Sequence, residues 1–394
     1  MTMFDFDALI DRRGTHSAKW DALAMATGVT AEDGLAMWVA DMDFKACPPV
    51  RDVLATEIER GVHGYYANDK TWRSAVVTWM QRRHGWSVDP DWITATPGIV
   101  SGCGLILQAF TQPGDGIVLF APVYHAFHKI IAANDRAIIQ SPMKEVQGRY
   151  RMDLETLGQT LPENARMVFF CSPHNPGGTV WSAEEIKALA DFCAERDLLL
   201  VSDEIHHDLV YPGFTHKVTH TVTPEHADRL ITAAAATKTF NLAGAHVGAV
   251  FISNPDLRAR FQKVVGAAGL GSHNLFGMIA TEAAYTAGEP WLEALLVYLD
   301  GNRNLLDSRI AADIPGARSM PLEATYLSWV DFSGTGLGGD EVMRRIRDEA
   351  RIGASPGPQF GIGGETRVRF NIATPRSRVT TAMDRLAAVF ADLR

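Results

Sequence analysis

The chain has 394 residues, of which 46% are hydrophobic and 21% charged, and this composition excludes a disordered or fibrous protein. Its formal net charge is −9, with acidic and basic residues mixed along the whole chain. This charge argues against nucleic acid or an anionic membrane as the main partner and favours a small-molecule substrate.

The cysteines and the N-terminal sequence indicate the cellular compartment. The cysteines form no C-x-x-C pair, so we expect free buried thiols and neither a zinc site nor a redox dithiol. They are Cys47, Cys103, Cys171 and Cys193. The first residues, MTMFDFDALIDRR, carry acids before bases and lack the apolar core of a signal peptide, and no apolar run is long enough to span a membrane. We therefore expect a cytoplasmic protein.

From about Pro48 to Ala284, apolar runs typical of strands alternate with amphipathic stretches typical of helices. Such alternation predicts a mostly parallel sheet covered by helices on both faces. A helix is predicted at Ser182–Arg196, because Ser182 and Glu185 have the spacing of a capping box. The expected strands are Gly116–Ala121, Ala137–Ser141, Arg166–Cys171, Leu198–Ser202, Leu230–Ala234 and His246–Ile252.

The pattern changes after Glu289 and predicts a smaller α+β domain. Its expected elements are a helix at Trp291–Ala312, a strand at Thr325–Phe332, a helix at Asp340–Arg351, a strand at Arg367–Ile372 and a closing helix. We predict an N-terminal segment at residues 1–47 that packs against this domain, a large domain at 48–288 and the small C-terminal domain at 289–394.

The first candidate binding segment runs from Thr94 to Val100, where small residues end a predicted strand and begin a predicted helix. Free backbone amides at a helix N-terminus bind anions, although an ordinary turn into a core helix is the alternative. The following Gly102-Cys103-Gly104 lacks the third glycine of a dinucleotide-binding fingerprint. A Rossmann dehydrogenase is therefore disfavoured.

Three further turn segments follow predicted strands, where α/β sheets place their ligands. In the first, Asn175 can point into a site. In the second, Asp203 ends a buried strand and precedes two histidines, so it could hold a ligand, cap a helix or belong to a metal site. No other ligand cluster accompanies it, so we predict no metal. In the third, Lys238 lies among small and apolar residues, which disposes it toward a lowered pKa and a nucleophilic amine, although a solvated surface lysine is the alternative.

Together these segments resemble the fold-type I pyridoxal-phosphate (PLP) enzymes of the class I/II aminotransferase superfamily. The likeness is to the carbon–sulfur lyase subgroup of cystathionine β-lyases of the MalY and PatB type, and it covers nearly the whole chain. The further motifs that carry it are Lys19-Trp20-Asp21, Trp38-Val39-Ala40-Asp41-Met42-Asp43-Phe44, Gly64-Tyr65-Tyr66, Thr325-Tyr326-Leu327-Ser328-Trp329-Val330-Asp331-Phe332 and Arg369-Phe370-Asn371-Ile372-Ala373. The resemblance implies a PLP-dependent transferase-like fold, with a mostly parallel seven-stranded sheet in the large domain.

The resemblance also implies how the cofactor is held. Lys238 would form the Schiff base and then remove the substrate α-proton, and Asp203 would keep the pyridine nitrogen protonated so that the ring acts as an electron sink. Asn175 would bind the phenolic oxygen of the ring. Tyr124, a third candidate catalytic residue, would stack on the ring face, and His206 would line the same side.

Further residues are implied for the phosphate. The amides of Gly98, Ile99 and Val100 and the hydroxyl of Thr237 would bind it, and Tyr65 would reach it from a second subunit. Active sites shared in this way imply a homodimer.

For the substrate, Arg369 would hold the α-carboxylate in a two-pronged ion pair, with Asn175 and Tyr65 also bordering it. Two positions depart from the superfamily pattern: His246 stands where an arginine usually binds the phosphate, and Ala235 where a serine is common. We therefore expect fewer phosphate contacts than usual.

The preferred hypothesis is β-elimination from an L-cysteine S-conjugate such as cystathionine, which yields a thiol, pyruvate and ammonia. An aminotransferase would use the same Lys238, Asp203 and Arg369 but would require a 2-oxo acid. A third hypothesis, from a different class, is a PLP-binding regulatory protein that acts through protein–protein contacts.

Overall fold

The computed structural model describes residues 4–393, so residues 1–3 and 394, at the ends of the predicted N-terminal segment and C-terminal domain, lie outside it. The strands are β1 (Leu35–Ala36), β2 (Ile93–Thr96), β3 (Gly116–Ala121), β4 (Ala137–Pro142), β5 (Lys144–Val146), β6 (Arg149–Arg151), β7 (Ala165–Cys171), β8 (Leu199–Asp203), β9 (Leu230–Ala234), β10 (Gly248–Phe251), β11 (Arg318–Ser319), β12 (Leu327–Asp331), β13 (Ile352–Gly353), β14 (Ser355–Pro356) and β15 (Arg367–Asn371). The helices are α1 (Ala18–Asp21), α2 (Leu23–Thr27), α3 (Pro48–Arg60), α4 (Lys70–His84), α5 (Ile99–Phe110), α6 (His125–Ala133), α7 (Leu154–Thr160), α8 (Ala183–Glu195), α9 (Thr219–Val222), α10 (Ala236–Thr239), α11 (Pro255–Ala267), α12 (Leu275–Ala287), α13 (Glu289–Asp313), α14 (Gly339–Arg344) and α15 (Arg376–Val389).

A seven-stranded sheet with the order β2-β10-β9-β8-β7-β3-β4 forms the centre of the large domain. Strand β10 is antiparallel to both neighbours, and the other pairs are parallel. On β3, Ile117 packs with the apolar side chains of α5 and α6, whereas the adjacent Val118 packs with those of α8. Successive side chains of a strand point to opposite faces, so both faces are covered. The prediction of a mostly parallel seven-stranded sheet is confirmed.

Most predicted helices and strands are present in the structure. Where their limits differ from the prediction, the backbone conformation explains the difference. In the capping box, the Ser182 hydroxyl accepts from the Glu185 amide at 3.2 Å and the Glu185 carboxylate accepts from the Ser182 amide at 2.9 Å. Two predicted strands are shorter than expected, because His246 (φ 49°) and Thr325 (φ 72°) adopt left-handed backbone that a strand does not accommodate. The helix predicted at Asp340–Arg351 is α-helical only to Arg344 and continues as a π-helical turn.

The small C-terminal sheet has the order β11-β12-β15-β14 and is antiparallel throughout. Helices α13 and α15 pack against each other beside it. Strand β1 of the N-terminal segment pairs with β13, matching Leu35 with Ile352. This pairing is the kind of contact expected if the segment packs on the small domain, and the domain limits themselves stay a prediction.

The parallel register decides where the turn segments meet. Cys171 at the end of β7 pairs with Asp203 at the end of β8, and Asp203 pairs with Ala233 near the end of β9. Because the carboxyl ends of these strands lie at one edge, the segments that carry Asn175 and Lys238 converge there. The four cysteines are buried, and within residues 4–393 no helix is long and apolar enough to cross a membrane.

Candidate active site

A cavity of about 270 Å³ opens at the carboxyl edge of the sheet. It is bordered by side chains from the loops after β2, β3, β7, β8 and β9, together with the N-terminal segment. Those that the sequence predicted are Gly98, Ile99, Val100, Tyr124, Asn175, Asp203, His206, Thr237 and Lys238. One chain thus brings together every predicted cofactor-binding residue except Tyr65.

Lys238 lies on α10, the short helix that directly follows β9. Its Nζ donates to the Ala40 carbonyl oxygen at 2.6 Å, and the Tyr326 hydroxyl donates to the same oxygen at 3.0 Å. Burial lowers the pKa of Lys238 to about 8, because desolvation disfavours the ammonium form. A substantial fraction of this amine is therefore neutral, and hence nucleophilic, near neutral pH.

Asp203 is 4% exposed, and within residues 4–393 its carboxylate accepts one hydrogen bond, from the Ile205 amide at 3.1 Å. Burial raises the pKa of Asp203 to about 7. Close by, the Nδ1 of His206 is buried without a hydrogen-bond partner, and burial holds the pKa of His206 well below its ordinary value. The cavity floor therefore carries polar groups that the described chain leaves unsatisfied.

Arg369 comes from β15 of the small domain and is 2% exposed. It donates from Nη1 to the Asn175 side-chain oxygen at 3.1 Å, and from Nη2 to the Trp38 carbonyl at 2.8 Å and the Ser355 hydroxyl at 3.3 Å. Its Nε is buried without a partner, and burial lowers its pKa to about 10. A buried guanidinium without a carboxylate partner is suited to an anionic ligand.

The N-terminus of α5 closes another side of the cavity. Gly98 precedes the helix with φ 87°, a conformation that favours glycine, and no side chain caps the helix there. The amides of Ile99 and Val100 lie in the first turn, where a helix leaves its amides unsatisfied. Thr237, 8% exposed, borders the same cavity.

The two predicted tyrosines differ in position. Tyr124 is half-buried beside both Asp203 and Arg369, and burial raises its pKa. Tyr65 is 93% exposed and does not border the cavity of its own chain. Its predicted role therefore requires a second chain.

The sequence did not predict several residues that accept hydrogen bonds from Lys238 and Arg369. Trp38 and Ala40 contribute backbone carbonyls, which carry no side-chain signal, although their motif was part of the resemblance. Ser355 lies in the two-residue strand β14, which is too short to give a recognisable sequence pattern. His246 was noted only as a departure, yet it borders the cavity together with Cys171.

A second buried polar cluster lies on α4, α10 and the turn after β8. Asp208 accepts from Trp79 Nε1 at 3.1 Å and from the Thr239 hydroxyl at 2.7 Å, and lies 2.8 Å from His84 Nε2 and 3.2 Å from His207 Nε2. The two histidines and Asp208 are close enough to hold a metal ion. The carboxylate oxygens are already engaged by hydrogen bonds, however, which fits a structural network.

The family profile Aminotransferase class I and II matches residues 35–386. Among curated proteins, cystathionine β-lyase PatB of Bacillus subtilis is 38% identical over 385 residues, which cover 98% of this chain and 99% of that protein.

Two solved structures are similar throughout. Cystalysin from Treponema denticola, which contains pyridoxal 5′-phosphate, has a TM-score of 0.94 and 33% identity over the whole of both chains. A PLP-bound C–S lyase from Staphylococcus hominis has a TM-score of 0.90 and 30% identity over 98% of each chain. This chain belongs to the class I and II aminotransferase family and has the fold-type I architecture of its PLP-dependent members.

Proposed function

We propose that this protein is a PLP-dependent carbon–sulfur lyase that cleaves L-cysteine S-conjugates by β-elimination. The observation that carries the proposal is a pair of adjoining cavities that share Lys238, one bordered by Asp203 and the other by Arg369. The likeness to PatB, cystalysin and a C–S lyase supports elimination over amino-group transfer. With cystathionine and water, the products are homocysteine, pyruvate and ammonia.

The residues of the cavity fit PLP. A carboxylate whose pKa is raised to about 7 needs a cationic partner in order to ionise fully, and a protonated pyridine nitrogen supplies one. The Nδ1 of His206 has no hydrogen-bond partner in the described chain, and a polar ligand would provide one. The open amides after Gly98 suit a phosphate dianion at a helix N-terminus.

In this proposal Lys238 holds the cofactor covalently, Asp203 pairs with its ring nitrogen and Asn175 binds its phenolic oxygen. Tyr124 stacks on the ring and His206 lines the same side. The phosphate is bound by the amides of Gly98, Ile99 and Val100 and the Thr237 hydroxyl. His246 borders this part of the cavity in place of the usual arginine.

When bound, the cofactor withdraws electrons from the substrate α-carbon and so acidifies its proton. Arg369, which borders the larger cavity and has no carboxylate partner within residues 4–393, fixes the α-carboxylate. Once the substrate amine has replaced Lys238 on the cofactor, the freed Nζ, whose pKa burial lowers to about 8, would take the α-proton near neutral pH. Departure of the β-thiolate completes the cleavage without a 2-oxo acid.

We further propose that the functional form is a homodimer in which Tyr65 of each chain reaches the phosphate of the other. Tyr65 is 93% exposed, and the neighbouring Val62 and Ile58 are 79% and 61% exposed. A cluster of exposed apolar side chains of this kind is typical of an interface. Light scattering should give twice the chain mass of 43.1 kDa, and a monomeric, fully active enzyme would contradict the proposal.

The lyase assignment is tested with purified, PLP-loaded protein and L-cystathionine, with and without 2-oxoglutarate. Equal amounts of thiol and pyruvate in the absence of the oxo acid are expected. Turnover only when 2-oxoglutarate is present would identify an aminotransferase. Bound cofactor without turnover in either condition, together with a protein recovered by pull-down, would favour a regulatory role.

A further inference from the structure

A larger cavity of about 610 Å³ adjoins the cofactor cavity and shares Ala40, Tyr124 and Lys238 with it. Arg369, the proposed ligand of the α-carboxylate, borders it as well. A substrate held by Arg369 over Lys238 would therefore extend its sulfur substituent into this space. The following argument rests on the proposed lyase function and concerns which substituents fit.

The lining of this cavity contains cationic and hydrogen-bonding side chains but no carboxylate. Helix α6 contributes His125, His128 and Lys129, whose spacing of three and four residues places them on one helical face. Lys129 is exposed and forms no ion pair within residues 4–393. Its charge is therefore available to a ligand.

His125 lies at the centre of this positive surface. Burial, and then the charges of Arg369 and Lys129, lower its pKa to about 4, so that the ring is neutral at pH 7. Its Nδ1 is buried without a hydrogen-bond partner in the described chain. His125 also starts α6, where the helix dipole favours negative charge. The Lys129 charge and the N-terminus of α6 both favour a ligand that carries a negative charge, and neither favours a cationic ligand.

We propose that this cavity selects S-conjugates whose leaving group ends in a carboxylate, and that Lys129 is a specificity-determining residue for it. Arg369 then binds the α-carboxylate of the substrate, and the face of α6 binds the second one. The preferred class of substrate is a dicarboxylic amino acid thioether.

The test compares kcat/KM for three conjugates: S-(2-carboxyethyl)-, S-(2-carbamoylethyl)- and S-(2-aminoethyl)-L-cysteine. The first two have nearly the same shape and differ in charge. The carboxylate should be preferred over the amide by about fivefold, the upper range for a solvent-exposed ion pair, and the amine should be the poorest. The preference should weaken as salt is added, because an exposed charge is screened.

Lys129→Met should abolish the preference for the carboxylate, and Lys129→Glu should reverse the order of carboxylate and amine. Lys263→Met is the matched control, because Lys263 is also an exposed helical lysine without an ion pair in the described chain and does not border the cavity. It should leave the preference intact.

Equal kcat/KM for the carboxylate and the amide, or a preference that survives Lys129→Met, would overturn the selection while leaving the lyase function standing. Failure to release thiol from all three conjugates and from cystathionine would overturn both.

Discussion

Two buried aspartates, one at the end of β8 and the other five positions further along the chain, differ in their partners and in their pKa. Asp203 is 4% exposed and Asp208 is 2% exposed. Burial by itself favours a raised pKa at both carboxyl groups. At Asp203 burial dominates, and the pKa reaches about 7. At Asp208 the opposing effects of His207 and His84 outweigh burial and hold the pKa well below its ordinary value.

The difference lies in the partners that the fold provides. Asp208 accepts hydrogen bonds from Trp79 and Thr239, and Nε2 of His84 and of His207 lie 2.8 and 3.2 Å from its carboxylate, so its charge is compensated within the chain. Asp203 receives one backbone hydrogen bond. Because a buried charge without compensation is costly, the incompletely bonded aspartate is the one suited to a ligand, and the fully bonded one stabilises the fold.

The largest expected effect is that of Lys238→Ala, which removes the amine that borders the same cavity as Asp203. Turnover should fall on the order of 10⁴-fold, because the general base is lost together with the covalent attachment. Borohydride reduction and peptide mass spectrometry of the holoenzyme should find the cofactor on Lys238 in the parent protein only. Cofactor attached to another lysine in the parent protein would refute the assignment.

Asp203→Asn should lower kcat/KM by about 10²–10³-fold, as expected when one electrostatic partner of the reacting system is removed. The cofactor-free variant should be at least as stable as the parent, because an uncompensated buried carboxylate has been replaced by an amide. Steady-state kinetics and urea unfolding measure the two quantities. Full activity in this variant would remove Asp203 from the site.

Asp208→Asn should lower stability, whereas Asp203→Asn lowers activity and leaves stability intact. The free energy of unfolding should fall by about 3–5 kcal/mol, since the variant removes the buried carboxylate that pairs with His207 and Arg83. Urea unfolding of the cofactor-free protein measures the loss. A stability equal to that of the parent, combined with a large loss of activity in the folded variant, would place Asp208 with the ligand-binding groups.

The pH dependence of the free energy of unfolding should also distinguish the parent protein from Asp203→Asn. The pKa of Asp203 is raised in the folded state, so its contribution to stability is complete below the unfolded-state value near 3.8 and is lost as pH rises to about 7. Between pH 5 and pH 8 the cofactor-free parent should therefore lose on the order of 2 kcal/mol more stability than Asp203→Asn. Parallel stability curves for the two proteins would show that Asp203 ionises normally.

The smallest expected effect is that of Thr239→Val, which removes one of the donors to Asp208. Because the other donors remain, the cost should be about 1 kcal/mol. Thermal unfolding should detect it, with Thr160→Val, whose exposed hydroxyl donates to the Thr156 carbonyl, as a comparison. A loss as large as that of Asp208→Asn would mean that the network depends on this single hydroxyl.

Much of the fold followed from local pattern, because buried parallel strands are continuous apolar runs and the capping box is a short-range signal. The strands at Gly116–Ala121 and Leu230–Ala234 have the predicted limits. The errors are at residues such as His246 and Thr325, whose left-handed backbone is imposed by surrounding structure. The roles of Lys238, Asp203 and Arg369 stay predictions, although the fold brings these three residues to neighbouring walls of one site.

The class of fold, the family and the candidate site residues could all be predicted from the sequence, since apolar periodicity and short motifs are properties of nearby positions. Tertiary structure alone decided that Asp203 stays incompletely bonded while Asp208 is enclosed by donors from α4 and α10. It also brought Arg369 from the small domain to Asn175. Both outcomes depend on contacts between residues 30 to nearly 200 positions apart, which no local pattern encodes.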